Sequence, residues 1–383
     1  MKTHLKQLAI PLFIYLTLVY ASTSVATPRL AATYGQDCQL CHANPSGGGM
    51  RNSYVSGYIG PSELPLKPLP AHEQTRWPKV KLTDHITVGT DLRLLYLATN
   101  NSQTAVGNLD NTFFQMQGDF YVAFEPDPQF LLYLDRGTGS DYEVFAMGRV
   151  LPWHGYLKGG RFVPDIGWRW DDHNRYTREK LDLDFPGATQ AGIELGLSPG
   201  AFQFTTGIYN GNGSSQFDNN SQKMFVAKIS HRQRLGPVNT AIGASTRWNH
   251  GSEYKERLWG IQAQAGWSKF AYIGDFFGQR NEEYEDAATL ILHDEEHPPV
   301  WSWIMSQELD YRPIQGLDFF VAYDFYDPDL DHEDGTQYQL SFGSRIYLRH
   351  FLKLEPVFRY ERETTAATTI EDKRLEIVIH AFY

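Results

Sequence analysis

The chain has 383 residues, of which 42% are hydrophobic and 14% aromatic, and its net charge is −11. That aromatic content excludes a disordered or collagen-like chain, and the acidic balance argues against nucleic acid, which demands a basic face. Two cysteines cannot build a disulfide-rich scaffold, and past residue 21 no apolar run is long enough for a transmembrane helix.

Residues 1–26 read as a secretory leader. Lys2 and Lys6 form its basic start, Leu8 to Ala21 its apolar stretch, and Ser24-Val25-Ala26 a small-residue cleavage site. The competing reading is an anchor helix, for which the apolar stretch is short. The mature chain then begins near Thr27 and leaves the cytoplasm for oxidising surroundings.

Residues 27–84 form a segment of their own. Both cysteines fall in Cys38-Gln39-Leu40-Cys41-His42, the CxxCH pattern of c-type haem attachment. Two thiols three residues apart can each form a thioether with a haem vinyl group, and the adjacent histidine reaches the iron as proximal ligand. A structural zinc site needs about four ligands, and no second CxxC exists. A thioredoxin-like pair calls for a βαβ context that is missing, and a plain disulfide does not require the histidine. The pattern thus implies one covalent haem c on Cys38, Cys41 and His42. Two residues compete for the sixth iron position: Met50 beyond Gly47-Gly48-Gly49, and His72 in a Pro-rich stretch. Either is equally readable as an ordinary exposed side chain. The glycine run with Pro45, Pro61, Pro65, Pro68 and Pro70 reads as loop. Few apolar residues are on hand here to wrap a macrocycle, so something else must shield it.

From His85 to Tyr383 the texture changes to short alternating segments. Leu317, Phe319, Val321, Tyr323 and Phe325 share one face; Asp318, Phe320, Ala322 and Asp324 share the other. Ile86, Val88, Leu92, Leu94 and Tyr96 oppose His85, Thr87, Asp91, Arg93 and Leu95. Trp259 and Trp267 share a face eight residues apart, about 26 Å along a strand, which suits an aromatic at each edge of an apolar band. Long polar stretches near 99–111, 136–141, 165–187, 210–221, 249–255, 280–298, 327–336 and 363–371 alternate with seven short turns. The count predicts an all-β fold: a sixteen-stranded antiparallel outer-membrane β-barrel over residues 85–383, preceded by the haem segment. Its parity puts both free ends on the periplasmic side. A soluble β-sandwich is the alternative. Leu375, Ile377, Ile379, Ala381 and Tyr383 alternate along the last strand, whose aromatic end resembles the assembly signal of outer-membrane barrels.

Three loops carry concentrated charge. In 165–187, Trp168, Arg169, Trp170, Asp171, Asp172, His173, Arg175 and Arg178 would either fold inward and narrow the lumen or form an outward salt-bridged loop. Loop 327–336 holds Asp327, Asp329, Asp331 and His332, and loop 280–298 holds Glu282, Glu283, Glu285, Asp286, His293, Asp294, Glu295, Glu296 and His297. Such clusters suit hard cations or transition metals, but also read as solvated acidic surface.

An exported CxxCH segment joined to a porin-like barrel resembles the fused outer-membrane cytochrome–porins of iron-oxidising bacteria. The residues that carry the resemblance are Pro28 through Gly35, then Cys38, Cys41, His42 and Asn44-Pro45. Gly47 through Asn52 depart from the pattern. The barrel also looks like the porin component of porin–cytochrome conduits, and Gly159 through Pro164 lead into the third loop in a porin-like way. The resemblance implies electron transfer across the outer membrane of a Gram-negative bacterium rather than turnover of a substrate. Periplasmic or extracellular redox proteins or metal ions would be donors and acceptors, and outer-membrane lipid would surround the barrel. The alternative is a diffusion porin for small solutes or ions with an accessory haem segment.

Overall fold

The computed structural model describes residues 28–68, 70, 80–100, 111–138, 142–183, 188–213, 215, 217–218, 220–251, 254–286, 291–292, 299–332, 334–366 and 368–383. The expected leader and His72 lie outside these residues.

Among the described residues sixteen strands pair antiparallel with their sequence neighbours, beginning at Ile86–Thr99 and ending at Thr369–Phe382. A further two-residue stretch, Ile291–Leu292, pairs only with the end of Phe270–Asp286. The strands on either side of it, Phe270–Asp286 and Val300–Ile314, pair directly with each other. The last strand returns to the first, with Phe382 opposite Asp91 and Arg374 opposite Thr99. The sheet is therefore closed. Closure leaves no strand edge with unpaired N–H and C=O groups, the condition for β-structure inside lipid.

The alternation is inverted relative to a soluble protein. Leu92, Leu132, Ile193, Ile208, Ile242, Ile261, Val321, Phe342 and Ile379 are exposed on the outside, whereas Lys158, Glu194, Asp275, Glu308, Asp310, Asp324, Arg359 and Glu376 are buried within. An apolar exterior around a polar lumen is the pattern of a membrane-spanning barrel. Aromatic pairs mark both edges of the apolar band. Trp267, Phe270 and Tyr311 stack at one edge, with ring centroids 6.2 and 5.0 Å apart; Trp259, Phe276 and Trp303 meet at the other, 5.9 Å apart at each contact.

The short turns all join strands at one end, and the first strand begins and the last one ends there. Two expected long loops are shorter than the sequence suggests. Strand pairing runs to His250 and resumes at Tyr254, and it runs to Thr364 and resumes at Thr369. Polar residues there continue the ladder because pairing with a neighbour satisfies their backbone regardless of side chain.

The segment before the barrel enters the lumen from the short-turn end. Asn239 Nδ2 donates to Thr33 O at 2.7 Å, Gln315 Nε2 to Ser62 O at 2.9 Å, and Leu66 N to Tyr347 O at 2.9 Å. Helix α1 (Pro28–Tyr34) buries Leu30, Ala31 and Ala32. Gly35, at φ +71°, ends it, and Gln36 N donates back to Ala31 O, the bond pattern of a left-handed helix stop. Residues 55–63, expected as loop, are helical: a wide turn at Val55–Ile59 runs into Gly60–Glu63. Burial of Val55, Ile59 and Leu64 overrides the Gly and Pro composition, and Pro61 sits in a first turn, where no N–H is needed.

Ile261 is 60% exposed in the middle of its strand. Ile261→Arg is expected to destabilise the barrel by about 2–4 kcal/mol in urea titrations performed in lipid vesicles, the cost of a charge near the bilayer midplane.

Candidate cofactor site in the barrel lumen

The CxxCH residues form one tight turn. Cys38–Leu40 is a 3-10 turn, and the N–H groups of Cys41 and His42 both donate to Cys38 O at 3.0 Å. Asn52 holds the turn from behind, donating through Nδ2 to Leu40 O at 2.7 Å and through N to Cys41 O at 2.8 Å. His42 and Arg51 then form an antiparallel bridge, and Ala43 N donates to Met50 O at 3.0 Å.

The link between these two strands of chain is Asn44 to Gly49. Gly47, Gly48 and Gly49 have φ of +86°, +75° and +56°, three successive left-handed residues that favour glycine. Space is equally limiting. A Cβ on Gly47 would lie 3.2 Å from Cys38 Sγ, and one on Gly49 would lie 2.5 Å from Tyr133 Oη. The link is fastened to the lumen wall by Lys158 Nζ, which donates to Asn44 Oδ1 at 3.1 Å while paired with Glu194 at 2.7 Å. Met50 N donates to Tyr133 Oη at 3.1 Å.

Beside this turn lies a cavity of about 130 Å³, lined by Cys38, His42 and the three glycines on one side. Its other walls come from strands of the barrel (Asp91, Arg93, Tyr121, Asp135, Glu143) and from the long loop after Phe162 (Ile166, Trp168, Arg169, Trp170, Arg178). The apolar shielding that residues 27–84 lack is thus supplied by that loop.

The loop folds inward, the first of the two expectations for it, and charge fixes it there. Asp165 pairs with Lys228 at 2.7 Å; Asp171 with Arg93 at 3.0 Å and Lys353 at 2.7 Å; Asp172 with Arg359 at 3.0 Å. Arg175, fully buried, bonds Asp324 at 3.0 Å and also Glu308. Trp170 Nε1 donates to Asp275 at 2.8 Å. Burial works to raise the Asp171 and Asp172 carboxyls. Lys353 and Arg93 around the first, and Arg359 and Arg175 around the second, nevertheless hold both below the usual carboxylate range.

Of the residues expected at a haem, Cys38 and His42 face the cavity. Burial, reinforced by the Arg51 guanidinium, pushes His42 down to about 4, so its ring is neutral at neutral pH. Its Nδ1 is buried with no hydrogen-bond partner. Burial, with Asp37 adding to it, pushes the Cys38 thiol up, the opposite of what a redox-active or zinc-binding thiolate needs. Cys41 is completely buried behind the turn against Ala31, Val55 and Ile59. The three side chains do not converge as ligands of one metal ion, and no cluster of three or more metal-ligating side chains occurs among the described residues. A histidine with one ring nitrogen unpartnered, a neighbouring thiol and a cavity beside both fit a covalently tethered haem better than a zinc ion. Attachment at Cys41 would draw its thiol out of the apolar cluster.

Met50 is placed elsewhere. In the antiparallel pair, residues 43 and 50 share one face and residues 42 and 51 the other. Its side chain accordingly packs with the Tyr121 and Tyr133 cluster and Gly89 on the lumen wall. In loop 327–336, Asp327 and Asp329 accept from the N–H groups two residues on, and His332 bonds Asp329 at 2.8 Å. Those are turn contacts. The other acidic loop lies largely outside the described residues.

No known protein family and no curated protein matches the chain in sequence. Solved structures do match in fold. The chain is similar to the outer-membrane-expressed OmpT of Vibrio cholerae, with TM-score 0.56 and 10% identity over 79% of this chain and 99% of that one. It is also similar to the anion-selective porin from Comamonas acidovorans, with TM-score 0.54 and 9% identity over 78% and 99%. The barrel has the porin fold.

Arg175→Ala leaves Asp324 buried without its cation and Glu308 with Arg345 alone, a loss of about 3–5 kcal/mol at the loop. The expected outcome is protease cleavage between residues 163 and 183 and higher ion conductance in planar bilayers, with the barrel still migrating as a folded species on unheated gels.

Proposed function

We propose that this protein carries electrons across the outer membrane of a Gram-negative bacterium, by way of one haem c tethered at Cys38 and Cys41 with His42 as proximal ligand. The supporting observation is that Cys38 and a neutral His42, whose buried Nδ1 has no hydrogen-bond partner, face a lumen cavity walled by the inward loop. Bound there, the haem would supply a one-electron carrier. The chain's own residues do the rest. Asn52 and Asn44 hold the turn in register, the triple glycine lets it approach the wall, and Trp168 and Trp170 keep bulk water from the cavity. Met50, whose side chain packs with Tyr121 and Tyr133, would have to leave that cluster to hold the iron.

A single carrier inside a bilayer whose apolar core is about 30 Å thick reaches neither face alone. Periplasmic redox proteins at the short-turn end, and external redox proteins or metal ions at the loop end, are the proposed partners. In this orientation both ends of the barrel are periplasmic.

A second reading is a diffusion porin, favoured by the porin fold itself. The filled lumen counts against it. Conductance separates the two: the conduit is nearly closed to ions, whereas the porin passes them freely.

The decisive variant is Cys38→Ala with Cys41→Ala. The barrel is expected to fold, because neither residue belongs to a strand, and haem stain on denaturing gels to vanish. Electron transfer between an internal donor and an external acceptor in proteoliposomes is expected to fall to the protein-free rate. Transfer at the parent's rate in this variant would overturn the proposal.

A further inference from the structure

Buried cations in this lumen are, as a rule, matched. Arg29 meets Asp318 at 2.6 Å, Lys158 meets Glu194, Arg345 meets Asp310 at 2.6 Å, and Arg359 meets Glu376 at 2.9 Å. Matching is expected where water is scarce, since an unpaired charge there costs several kcal/mol. Arg51 and Arg169 depart from the rule. Both are largely buried and both line the cavity beside His42, yet neither has a carboxylate at ion-pair distance among the described residues. Arg51 lies over the Phe382 ring at 3.8 Å, and Arg169 donates to Val163 O at 3.0 Å. Two of the carboxylates on the same cavity are already engaged by other cations: Asp91 by Arg93 at 3.3 Å, and Asp171 by Arg93 and Lys353.

We infer that Arg51 and Arg169 are the binding residues for the two propionates of the tethered haem, one guanidinium for each carboxylate. The inference rests on the haem reading above and goes beyond it by naming how the group is oriented. Thioethers and His42 fix one edge of a haem and its iron; nothing in CxxCH fixes its anionic edge. Arginine suits that task because its planar fork bonds a carboxylate through two parallel N–H groups. Asp119, Asp135 and Glu143 also line the cavity, so the positions of the two arginines set which way the propionates turn.

The test uses the full-length protein in detergent. In Arg51→Gln with Arg169→Gln, covalent haem content on gels is expected to equal the parent's, because the thioethers are untouched. The reduction potential is expected to fall, since losing positive charge beside the haem disfavours the reduced form. The expected size is at least a tenfold shift in the redox equilibrium, or 59 mV for one electron. Arg51→Lys with Arg169→Lys restores most of the potential, and the propionate-bending band in resonance Raman spectra moves in the glutamine variant more than in the lysine one. A merely structural role would instead lower haem content or barrel mobility on unheated gels and leave the lysine rescue absent. Haem present with an unshifted potential overturns the inference and leaves the haem reading standing. A parent protein without covalent haem overturns both.

Discussion

Charges that can face neither lipid nor each other's like sign govern this molecule. Closing the sheet puts an apolar face of the strands outside and gathers Lys158, Glu194, Asp275, Glu308, Asp310, Asp324 and Arg359 into one narrow lumen. Whatever fills that lumen has to present the complementary sign at each point. The inward loop does so with Asp165, Asp171, Asp172 and Arg175, and the N-terminal segment does so with Arg29 and Asn44. Its filling is therefore held by ion pairs and hydrogen bonds far more than by apolar contact. Where the matching is incomplete, beside His42, the geometry leaves a cavity.

The barrel was legible in the sequence because its outer face meets a uniform solvent. Lipid imposes the same demand on every strand, so Leu317 to Phe325 and Leu375 to Tyr383 show their alternation without reference to any partner. The loop lengths added a second, independent count. The CxxCH pattern of the turn was visible too, since it is local and its three residues need no distant partner to be noticed.

The rest of the site was hidden by sequence distance. Lys158 and Asn44 are 114 residues apart, and Lys353 and Asp171 are 182 apart. Each lumen residue looks like an isolated polar position in its own strand, and only closure of the ring reveals its counter-charge. Arg51 drew no attention for the same reason. Helical residues 55–63 were masked by their glycine and proline content, because the apolar surface that stabilises them belongs to α1 and to the turn around Cys41. Met50 was attractive by spacing alone; the antiparallel bridge at His42 and Arg51 turns its side chain to the other face.

The threading of the N-terminal segment has a temporal consequence. Cys38 and His42 precede every strand in the chain, yet they end up enclosed by all sixteen, behind a loop locked at Arg175. The seam between Asp91–Thr99 and the final strand is what shuts the ring, and Phe382 of that final strand packs on Arg51 itself. Any bulky group destined for the turn must be joined to it while the chain is still open, before insertion. The molecule is a ship in a bottle. On the haem reading proposed above, attachment precedes closure of the ring, and a chain that closes too early is sealed without that group.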